Sequence, residues 1–438
     1  MYCSEKAINP FIQIRCPFRD LVAGYLQTLR HIIELSGHRI SLALLVLLIS
    51  ACDQAENLAM LDNKGDLANR TASISPYGRK AEFSYPNFSG SFAVATRTIV
   101  VTDPSRLETL ESSSDPLQVP RHRKVQVRFY YPIDENPIQE PTDKNRLPVI
   151  AEKTWSYLIG HHELKGKRLR YENYRNAQWN IDINKPITPQ RASYPILIFS
   201  HGYGYSAESY SALSAELASR GFVVVSINHT YGANPVDFGL NHSGLIWAKP
   251  LHNNNMGASL PIWSADQMLV IEHLNLINSS SDDPFFQKLQ LANIGVFGHS
   301  YGGAASFHTA ALDPRVKAVM NLDGTIFDFE NKSVNQPSAI VLSEKHELNF
   351  DFTKTAGEAF LIKLKGFGHA SFSDHPLWWQ WDHDDLELGF GKVDAYQSIA
   401  LTSNLVDQFF SYYLLNKQSD MFELDAIDNS DMLLQRKK

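Results

Sequence analysis

One stretch of ten residues constrains the fold of this chain most strongly. Residues 294–303 read Ile-Gly-Val-Phe-Gly-His-Ser-Tyr-Gly-Gly, so an apolar run leads directly into a Gly-x-Ser-x-Gly sequence. Such a run is typical of a buried strand, and residues 304–307 can continue as a helix. Glycine at 298 and 302 permits a sharp strand-to-helix turn that side chains there would obstruct. Ser300 is therefore expected at the tip of the turn, with its hydroxyl projecting from the sheet edge.

The rest of the chain predicts a sheet around this turn. Apolar runs alternate with helical segments, the runs at 195–199, 222–227, 316–322, 338–343 and 360–365, the helices at 206–220, 263–277, 302–312 and 394–415. Such alternation is typical of a mostly parallel central sheet with helices on both faces. Two more strands are expected at 92–102 and 124–133. With the turn at Ser300, this order predicts the α/β-hydrolase fold and a serine nucleophile.

In that fold an acid and then a histidine follow the nucleophile along the chain. His369 ends the sequence Gly-Phe-Gly-His just after the last predicted parallel strand, where a general base is needed. His346 and His375 are alternatives. Asp323 and Glu344 each end a strand and could be the acid, and their positions alone favour neither.

Four short segments carry a resemblance to a known family. They are Phe-Ser-His-Gly-Tyr-Gly at 199–204, Gly-His-Ser-Tyr-Gly-Gly at 298–303, Asn-Leu-Asp-Gly at 321–324 and Gly-His-Ala-Ser-Phe-Ser-Asp at 368–374. In these segments the chain resembles the plasma-type platelet-activating-factor acetylhydrolase family and its bacterial relatives. The likeness extends from about residue 94 to about residue 415.

The resemblance implies the acid and the substrate class. In the family the acid follows the strand directly after the nucleophile helix, which selects Asp323 over Glu344. The family histidine precedes a Phe and an Asp, matched here by Phe372 and Asp374. The implied substrates are phospholipids with short or oxidised acyl chains, above all an acetyl group at the second glycerol position.

An oxyanion hole is expected from two backbone N–H groups. Tyr301 supplies one, at a position where the family usually has Phe. The other is expected from the glycine-containing turn at 201–204, with Tyr203 as the donor. No metal or organic cofactor is expected, because acyl transfer by Ser300, His369 and Asp323 needs none.

Three tryptophans are candidates for the substrate pocket. Trp247 lies in a long loop predicted at 228–262, and Trp378 and Trp379 follow His369. Such side chains can grip an acyl chain or lie at a bilayer interface. A buried aromatic cluster under the last helix is an equally good interpretation.

Other functions stay open at this point. A general carboxylesterase, a polyesterase or a lysophospholipase would use the same groups. An inactive hydrolase-fold protein that only binds a ligand is a further alternative, although the intact Ser300, Asp323 and His369 argue against it.

The amino-terminal region predicts a lipid anchor. Cys3, Cys16 and Cys52 are the only cysteines, so the rest of the chain can form neither a disulfide framework nor a thiolate metal site. Residues 40–49 are apolar, too few to span a bilayer but enough for a signal peptide. Residues 49–52, Ile-Ser-Ala-Cys, resemble a bacterial lipobox, which implies cleavage before Cys52 and lipid on its sulfur. A buried helix or an uncleaved anchor is the alternative.

These observations divide the chain into three parts: a lipoprotein signal peptide at 1–51, a lipidated cysteine with a flexible tether at 52–85, and a catalytic domain at 86–438. The expected location is the bacterial cell envelope, with the inner or outer membrane left open. A net charge of −7 indicates no basic face for nucleic acid. The expected partners are an ester or phospholipid substrate and a membrane.

Overall fold

The Gly-x-Ser-x-Gly turn follows a central strand of a large sheet in the computed structural model of the chain. The structure describes Phe83, residues 85–108, 122–134, 152–160, 181–238, 256–348, 350–382 and 390–437, and scattered residues at 163–179 and 245–248. Eleven strands within these ranges form the sheet. In chain order they are β1 (Ala93–Leu107), β2 (His122–Ile133), β3 (Ile181–Ile183), β4 (Tyr194–Ser200), β5 (Val223–Asn228), β6 (Leu289–His299), β7 (Val316–Leu322), β8 (Ser338–Leu342), β9 (Ala359–Leu364), β10 (Ala426–Asp428) and β11 (Met432–Lys437).

Six neighbouring strands at the centre run parallel, in the order β5-β4-β6-β7-β8-β9. The strands β4, β5 and β8 are buried at every position, as strands covered on both faces must be. Because parallel strands end on the same edge, the turns after β4, β6, β7 and β9 lie together there. The predicted parallel sheet is confirmed.

Antiparallel strands extend the sheet at both ends. On one side β2 pairs with β5 and with β1, and on the other β11 pairs with β9 and with β10. The short strand β3 runs parallel to β1. The sequence predicted β1 and β2 from their alternation, but β10 and β11 lie in a polar tail with no sustained pattern.

Helices cover both faces of the sheet. They are α1 (Glu152–Gly160), α2 (Ser211–Ser219), α3 (Leu260–Ser279), α4 (Tyr301–Leu312), α5 (His375–Asp382), α6 (Ala395–Leu415) and α7 (Asp420–Glu423), with short 3₁₀ turns at Ala207–Tyr210, Met256–Ser259, Phe352–Lys354 and His369–Phe372. Alternate residues of β4 contribute to two cores. Ile196 and Ile198 pack with α3 and α4, whereas Leu197 and Phe199 pack with α2 and α6. This is the predicted α/β-hydrolase fold. Among the helices of the described ranges, none combines the length and apolar character needed to cross a bilayer.

The packed domain begins earlier than predicted. Phe83 has no exposed surface and Tyr85 is 8% exposed, and Trp378 donates its indole N–H to the Tyr85 hydroxyl at 2.9 Å. The polar residues around them suggested a tether ending at residue 85. Their burial shows that this boundary is wrong and lies before Phe83.

The helix after β4 also begins differently from the prediction. Ser206 takes the N-cap position of the 3₁₀ turn, but its side chain makes no capping hydrogen bond. The carboxylate of Asp374 instead accepts from the backbone N–H of Ala212, in the first turn of α2, at 3.2 Å. A residue distant in the chain therefore satisfies this helix end, which local sequence cannot indicate.

Candidate active site

Ser300 lies in the turn between β6 and α4 in a strained backbone conformation. Its φ is 54° and its ψ is −121°, a combination that residues with side chains adopt rarely. Its N–H donates to the carbonyl oxygen of Leu322 at 2.8 Å, which ties the turn to β7. A Cβ at position 302 would collide with the carbonyl of Ser200, and one at 298 with the backbone of Gly302. The glycines are therefore required, as the sequence predicted.

The turn after β9 brings His369 to this serine. His369 Nε2 lies 3.0 Å from Ser300 Oγ, and His369 Nδ1 lies 2.7 Å from Asp323 Oδ2. Because a carboxylate only accepts, Nδ1 carries the hydrogen and Nε2 presents its lone pair to the hydroxyl. The His369 side chain is 50% exposed and that of Asp323 is 1% exposed. The structure thus brings together the three residues that the sequence singled out.

The carboxylate of Asp323 accepts from two further donors. Its Oδ1 accepts from the backbone N–H of Ser343 at 2.6 Å and from Nδ1 of His346 at 2.8 Å. Burial alone would raise the pKa of Asp323, but the hydrogen bonds from His346 and His369 outweigh it and hold that pKa well below its ordinary value. Asp323 is therefore ionised at neutral pH and can hold the tautomer of His369.

Asn321 fixes the turn that carries Asp323. Its side-chain oxygen accepts from the N–H of Gly324 at 2.8 Å, and its side-chain nitrogen donates to the carbonyl of Gly324 at 2.9 Å. A Cβ at 324 would collide with the carbonyl of Ser300. The Asn-Leu-Asp-Gly segment is therefore a local device that places the carboxylate beside the nucleophile turn.

The alternatives for acid and base lie elsewhere. Glu344 is exposed, and the Nδ1 of His369 is bonded to Asp323 instead. His346 contacts Asp323 rather than Ser300, a role that the sequence did not indicate. His375 is packed against the ring of Tyr205, with 4.5 Å between ring centroids. The geometry therefore favours Asp323 and His369.

His299 supports the loop that carries His369. It is fully buried, and its Nε2 donates to the carbonyl of His369 at 2.9 Å. Its Nδ1 lies 2.7 Å from the hydroxyl of Tyr210 and accepts from it. Burial, and next the charge of neighbouring His369, lowers the pKa of His299 to about 3, so the ring stays neutral. The sequence suggested only a packing residue here.

Tyr203 and Tyr301 lie beside the nucleophile turn. Tyr301 is the first residue of α4, where a backbone N–H has no acceptor within its own helix. Tyr203 follows β4 in a turn that packs closely on α4, since a Cβ at Gly302 would also meet the carbonyl of His201. The two tyrosine rings lie 5.4 Å apart. The position of both residues is compatible with the oxyanion donors expected from the sequence.

The tryptophans predicted for the pocket are placed differently. Trp378 and Trp379 have no exposed surface. The ring of Trp378 lies 5.4 Å from that of Trp155, and Trp379 lies 6.1 Å from Phe390. The pocket prediction is wrong for these two, because helix α5 turns them into an aromatic cluster under α6, the alternative interpretation. Trp247 lies outside the described residues.

The aromatic surface next to Ser300 comes instead from residues that the sequence did not single out. The ring of Trp263, in α3, lies 4.8 Å from Tyr301 and 6.0 Å from Tyr203. The hydroxyl of Tyr301 donates to the carbonyl of Met256 at 2.6 Å. Trp263 was visible only as the first residue of a predicted helix.

This arrangement can perform acyl transfer. A neutral imidazole faces a serine hydroxyl and is oriented by an ionised carboxylate, which is what activation of a weak nucleophile requires. Within the described ranges, no group of three or more His, Cys, Asp or Glu side chains is arranged to hold a metal ion.

Comparisons with known proteins agree with this geometry. The family model described as platelet-activating factor acetylhydrolase, isoform II, matches residues 78–234 and 271–431. A platelet-activating factor acetylhydrolase of Bos taurus is 25% identical over 342 residues, which cover 69% of this chain and 74% of the relative. A probable 1-alkyl-2-acetylglycerophosphocholine esterase of Arthroderma benhamiae is 25% identical over 60% of this chain and 63% of its own length.

A solved structure confirms the fold. A ferulic acid esterase from Streptomyces cinnamoneus superposes with a TM-score of 0.64 at 22% sequence identity. The match covers 80% of this chain and 97% of the esterase. At this identity the likeness concerns the fold alone.

Proposed function

The chain belongs to the platelet-activating factor acetylhydrolase family and is a carboxylic ester hydrolase, and on this premise we propose that it removes short acyl groups, above all acetyl, from the second glycerol position of phospholipids. The observation that carries the proposal is the row of two hydrogen bonds from Ser300 through His369 to Asp323, at 3.0 and 2.7 Å. A general carboxylesterase, a polyesterase and a (lyso)phospholipase are the competing outcomes of the test below.

The proposed reaction has two acyl-transfer steps. Ser300 Oγ attacks the ester carbonyl carbon as its proton passes to Nε2 of His369, and Asp323 stabilises the resulting imidazolium. The tetrahedral intermediate collapses, the C–O bond to the glycerol breaks, and His369 returns the proton to the leaving alkoxide. Water then attacks the acyl-serine with His369 again as base, which releases the carboxylic acid and restores Ser300.

The backbone N–H groups of Tyr203 and Tyr301 receive the negative charge that develops on the carbonyl oxygen. Each such donor contributes about 10²–10³ in kcat when it is already aimed before the reaction. The position of Tyr301 at the start of α4 and of Tyr203 in a turn packed on that helix supports this assignment.

The test is a chain-length profile on phosphatidylcholines that carry acetyl, butyryl or palmitoyl groups at the second position. We expect kcat/KM to be highest for acetyl and to fall steadily with length. Cleavage of palmitoyl alone would overturn the acetylhydrolase assignment, and equal rates on simple phenyl esters and phospholipids would favour a general carboxylesterase.

Labelling with a fluorophosphonate tests the nucleophile separately. The wild type should be labelled, and Ser300→Ala should not. The matched control is Ser279→Ala, at the exposed end of α3, which should be labelled like the wild type. Unlabelled wild type would support the alternative of an inactive ligand-binding protein.

We further propose that Cys52 carries acyl chains that hold the protein on a membrane of the bacterial cell envelope. Cys52 lies outside the described residues, so the proposal depends on the apolar run at 40–49 and the lipobox-like sequence at 49–52. Acyl chains contribute about 0.8 kcal/mol per buried methylene group, so two or three of them anchor a protein stably.

The anchor is tested by metabolic labelling with a palmitate analogue and by cell fractionation. Cys52→Ser should lose the label and leave the membrane fraction or accumulate unprocessed. Cys16→Ser, the matched control upstream of the predicted cleavage point, should behave like the wild type. Membrane-bound, unlabelled wild type would contradict the proposal.

A further inference from the structure

His201 makes two hydrogen bonds at the base of the turn that carries Tyr203. Its Nδ1 lies 2.7 Å from the carbonyl oxygen of Gly202, and its Nε2 lies 3.2 Å from the backbone nitrogen of His229. A carbonyl oxygen only accepts and a backbone N–H only donates, so Nδ1 carries the hydrogen and Nε2 presents a lone pair. Burial lowers the pKa of His201 well below its ordinary value. The ring is therefore held neutral in one tautomer.

The carbonyl that His201 holds belongs to the peptide group that contains the N–H of Tyr203. The backbone N–H of Tyr205 donates to the same Gly202 oxygen at 3.0 Å. In a trans peptide the C=O and N–H of one unit lie in one plane and point in opposite directions. Two donors on the Gly202 oxygen therefore determine where the N–H of Tyr203 points.

We propose that His201 is a positioning residue that aims the backbone N–H of Tyr203 at the oxyanion. The proposal deepens the function proposed above and depends on it, because it takes Tyr203 as an oxyanion donor. A donor held in advance is effective since it need not reorient as charge develops. His201 touches neither Ser300 nor the substrate carbonyl in this account and acts only through the Gly202–Tyr203 peptide.

A buried network fixes His201 in turn. His229, whose N–H binds His201, has its Nδ1 3.0 Å from Asp266 Oδ2 and its Nε2 2.9 Å from Ser200 Oγ. Asp266 is paired with Arg123 at 2.7 Å. Ser200, His229 and Asp266 show the bonding order of a nucleophile, base and acid, but all three are fully buried. They therefore support the turn, because an ester cannot reach Ser200.

The other side of Gly202 is also held. Its N–H donates to the hydroxyl of Tyr210 at 3.2 Å, and Tyr210 donates to His299, which holds the carbonyl of His369. A Cβ at Gly202 would come within 3.2 Å of the Tyr210 hydroxyl. The peptide planes on both sides of Gly202 are thus fixed, and one of them is linked to the loop of the general base.

Two variants separate the bonds of His201. In His201→Asn the amide nitrogen can take the place of Nδ1 and donate to Gly202, while the acceptor for His229 is lost. In His201→Gln the amide oxygen can take the place of Nε2 and accept from His229, while the donor to Gly202 is lost. Each variant removes one hydrogen bond, so the two are matched in the contact that they lose.

We expect His201→Gln to lower kcat by about 10–100-fold, a part of the effect of deleting an oxyanion donor, with KM changed by less than about two-fold. His201→Asn should keep kcat within about three-fold of the wild type. Affinity for a boronic acid, which forms a tetrahedral serine adduct, should fall in parallel with kcat across the variants. Equal losses of kcat in both variants, or a loss confined to KM, would overturn the proposal.

A wild-type measurement covers the case in which a variant fails to fold. A long-range ¹H–¹⁵N spectrum of histidine-labelled protein should show His201 protonated at Nδ1 and bare at Nε2 at both pH 7 and pH 5. The opposite tautomer, or titration in this interval, would overturn the proposal. The failure of the proposed function is distinguishable, because then the wild type itself would not hydrolyse the ester and its kcat would equal that of Ser300→Ala.

Discussion

Ser300 and Asp323 both have a positive backbone φ, at 54° and 56°. For Ser300 the accompanying ψ of −121° lies in a region where a Cβ is strained. For Asp323 the conformation is left-handed helical, which Asp and Asn tolerate better than most residues. The serine therefore sits at a cost to stability, whereas Asp323 can be replaced by Asn without disturbing the backbone.

The strain at Ser300 predicts an unusual order of stabilities. Ser300→Gly should be more stable than Ser300→Ala by about 1 kcal/mol, because strain of about 1–3 kcal/mol is relieved and exceeds the entropic cost of glycine, about 0.5–1 kcal/mol. Urea unfolding of both variants gives the free energies of unfolding. A glycine variant less stable than the alanine variant would show that the turn is unstrained.

The contacts of Asp323 predict which carboxylate is the acid. Asp323→Asn should lower kcat by about 10⁴-fold, because an amide nitrogen facing Nδ1 would favour the wrong tautomer of His369. Glu344→Gln, the matched control, should change kcat by less than about two-fold because Glu344 is exposed. Steady-state kinetics on the acetyl substrate decides between them, and a reversed pattern would transfer the role of the acid to Glu344.

The elements of the parallel sheet could be predicted from the sequence because each is a local apolar run. The strand predicted at 316–322 is Val316–Leu322, and the helix predicted at 302–312 is Tyr301–Leu312. Helix α5 was missed, because its eight residues are mostly large aromatic and polar side chains with no clear period. Strand β11 was missed because its partner, β9, lies far away in the sequence and is antiparallel to it.

The residues of the proposed mechanism were predicted from spacing and motif, but their supports were not. His346 and His201 each act on a group that is distant in sequence or defined only by a peptide plane, and a histidine in a loop carries no local sign of its partner. The tryptophans were misplaced for a related reason. Composition shows that an aromatic cluster exists, but only the packing of α5 decides whether it faces the substrate or the core.

For the whole molecule, a buried carboxyl group joins three distant parts of the chain. Asp374 accepts from the backbone N–H of Ala212 in α2 and is hydrogen bonded to Tyr85 near the start of the packed domain. Burial raises the pKa of Asp374 to about 7 from an ordinary value of 3.8. The folded protein therefore keeps a proton on Asp374 in a pH range where the unfolded chain has lost it.

This linkage predicts a loss of stability with rising pH. Between about pH 4 and pH 7 the native state binds more protons at Asp374 than the unfolded state, so the free energy of unfolding falls, by up to about 1.4 kcal/mol per pH unit, and this contribution levels off above pH 7. Asp374→Asn keeps an acceptor for Ala212 and removes the titration. Its stability relative to wild type should rise from pH 5 to pH 8 in calorimetric scans, and parallel curves for the two proteins would refute the shift.

The hydrogen bond between Ser300 and His369 joins positions 69 residues apart, and β6 and β9, which carry them, are separated in the sheet by β7 and β8. Reactivity at Ser300 thus requires that all four strands have assembled. A fluorescent phosphonate added to a crude lysate would then count correctly folded molecules and ignore misfolded ones of the same mass. Heating the lysate before adding the dye would give a melting curve without purification.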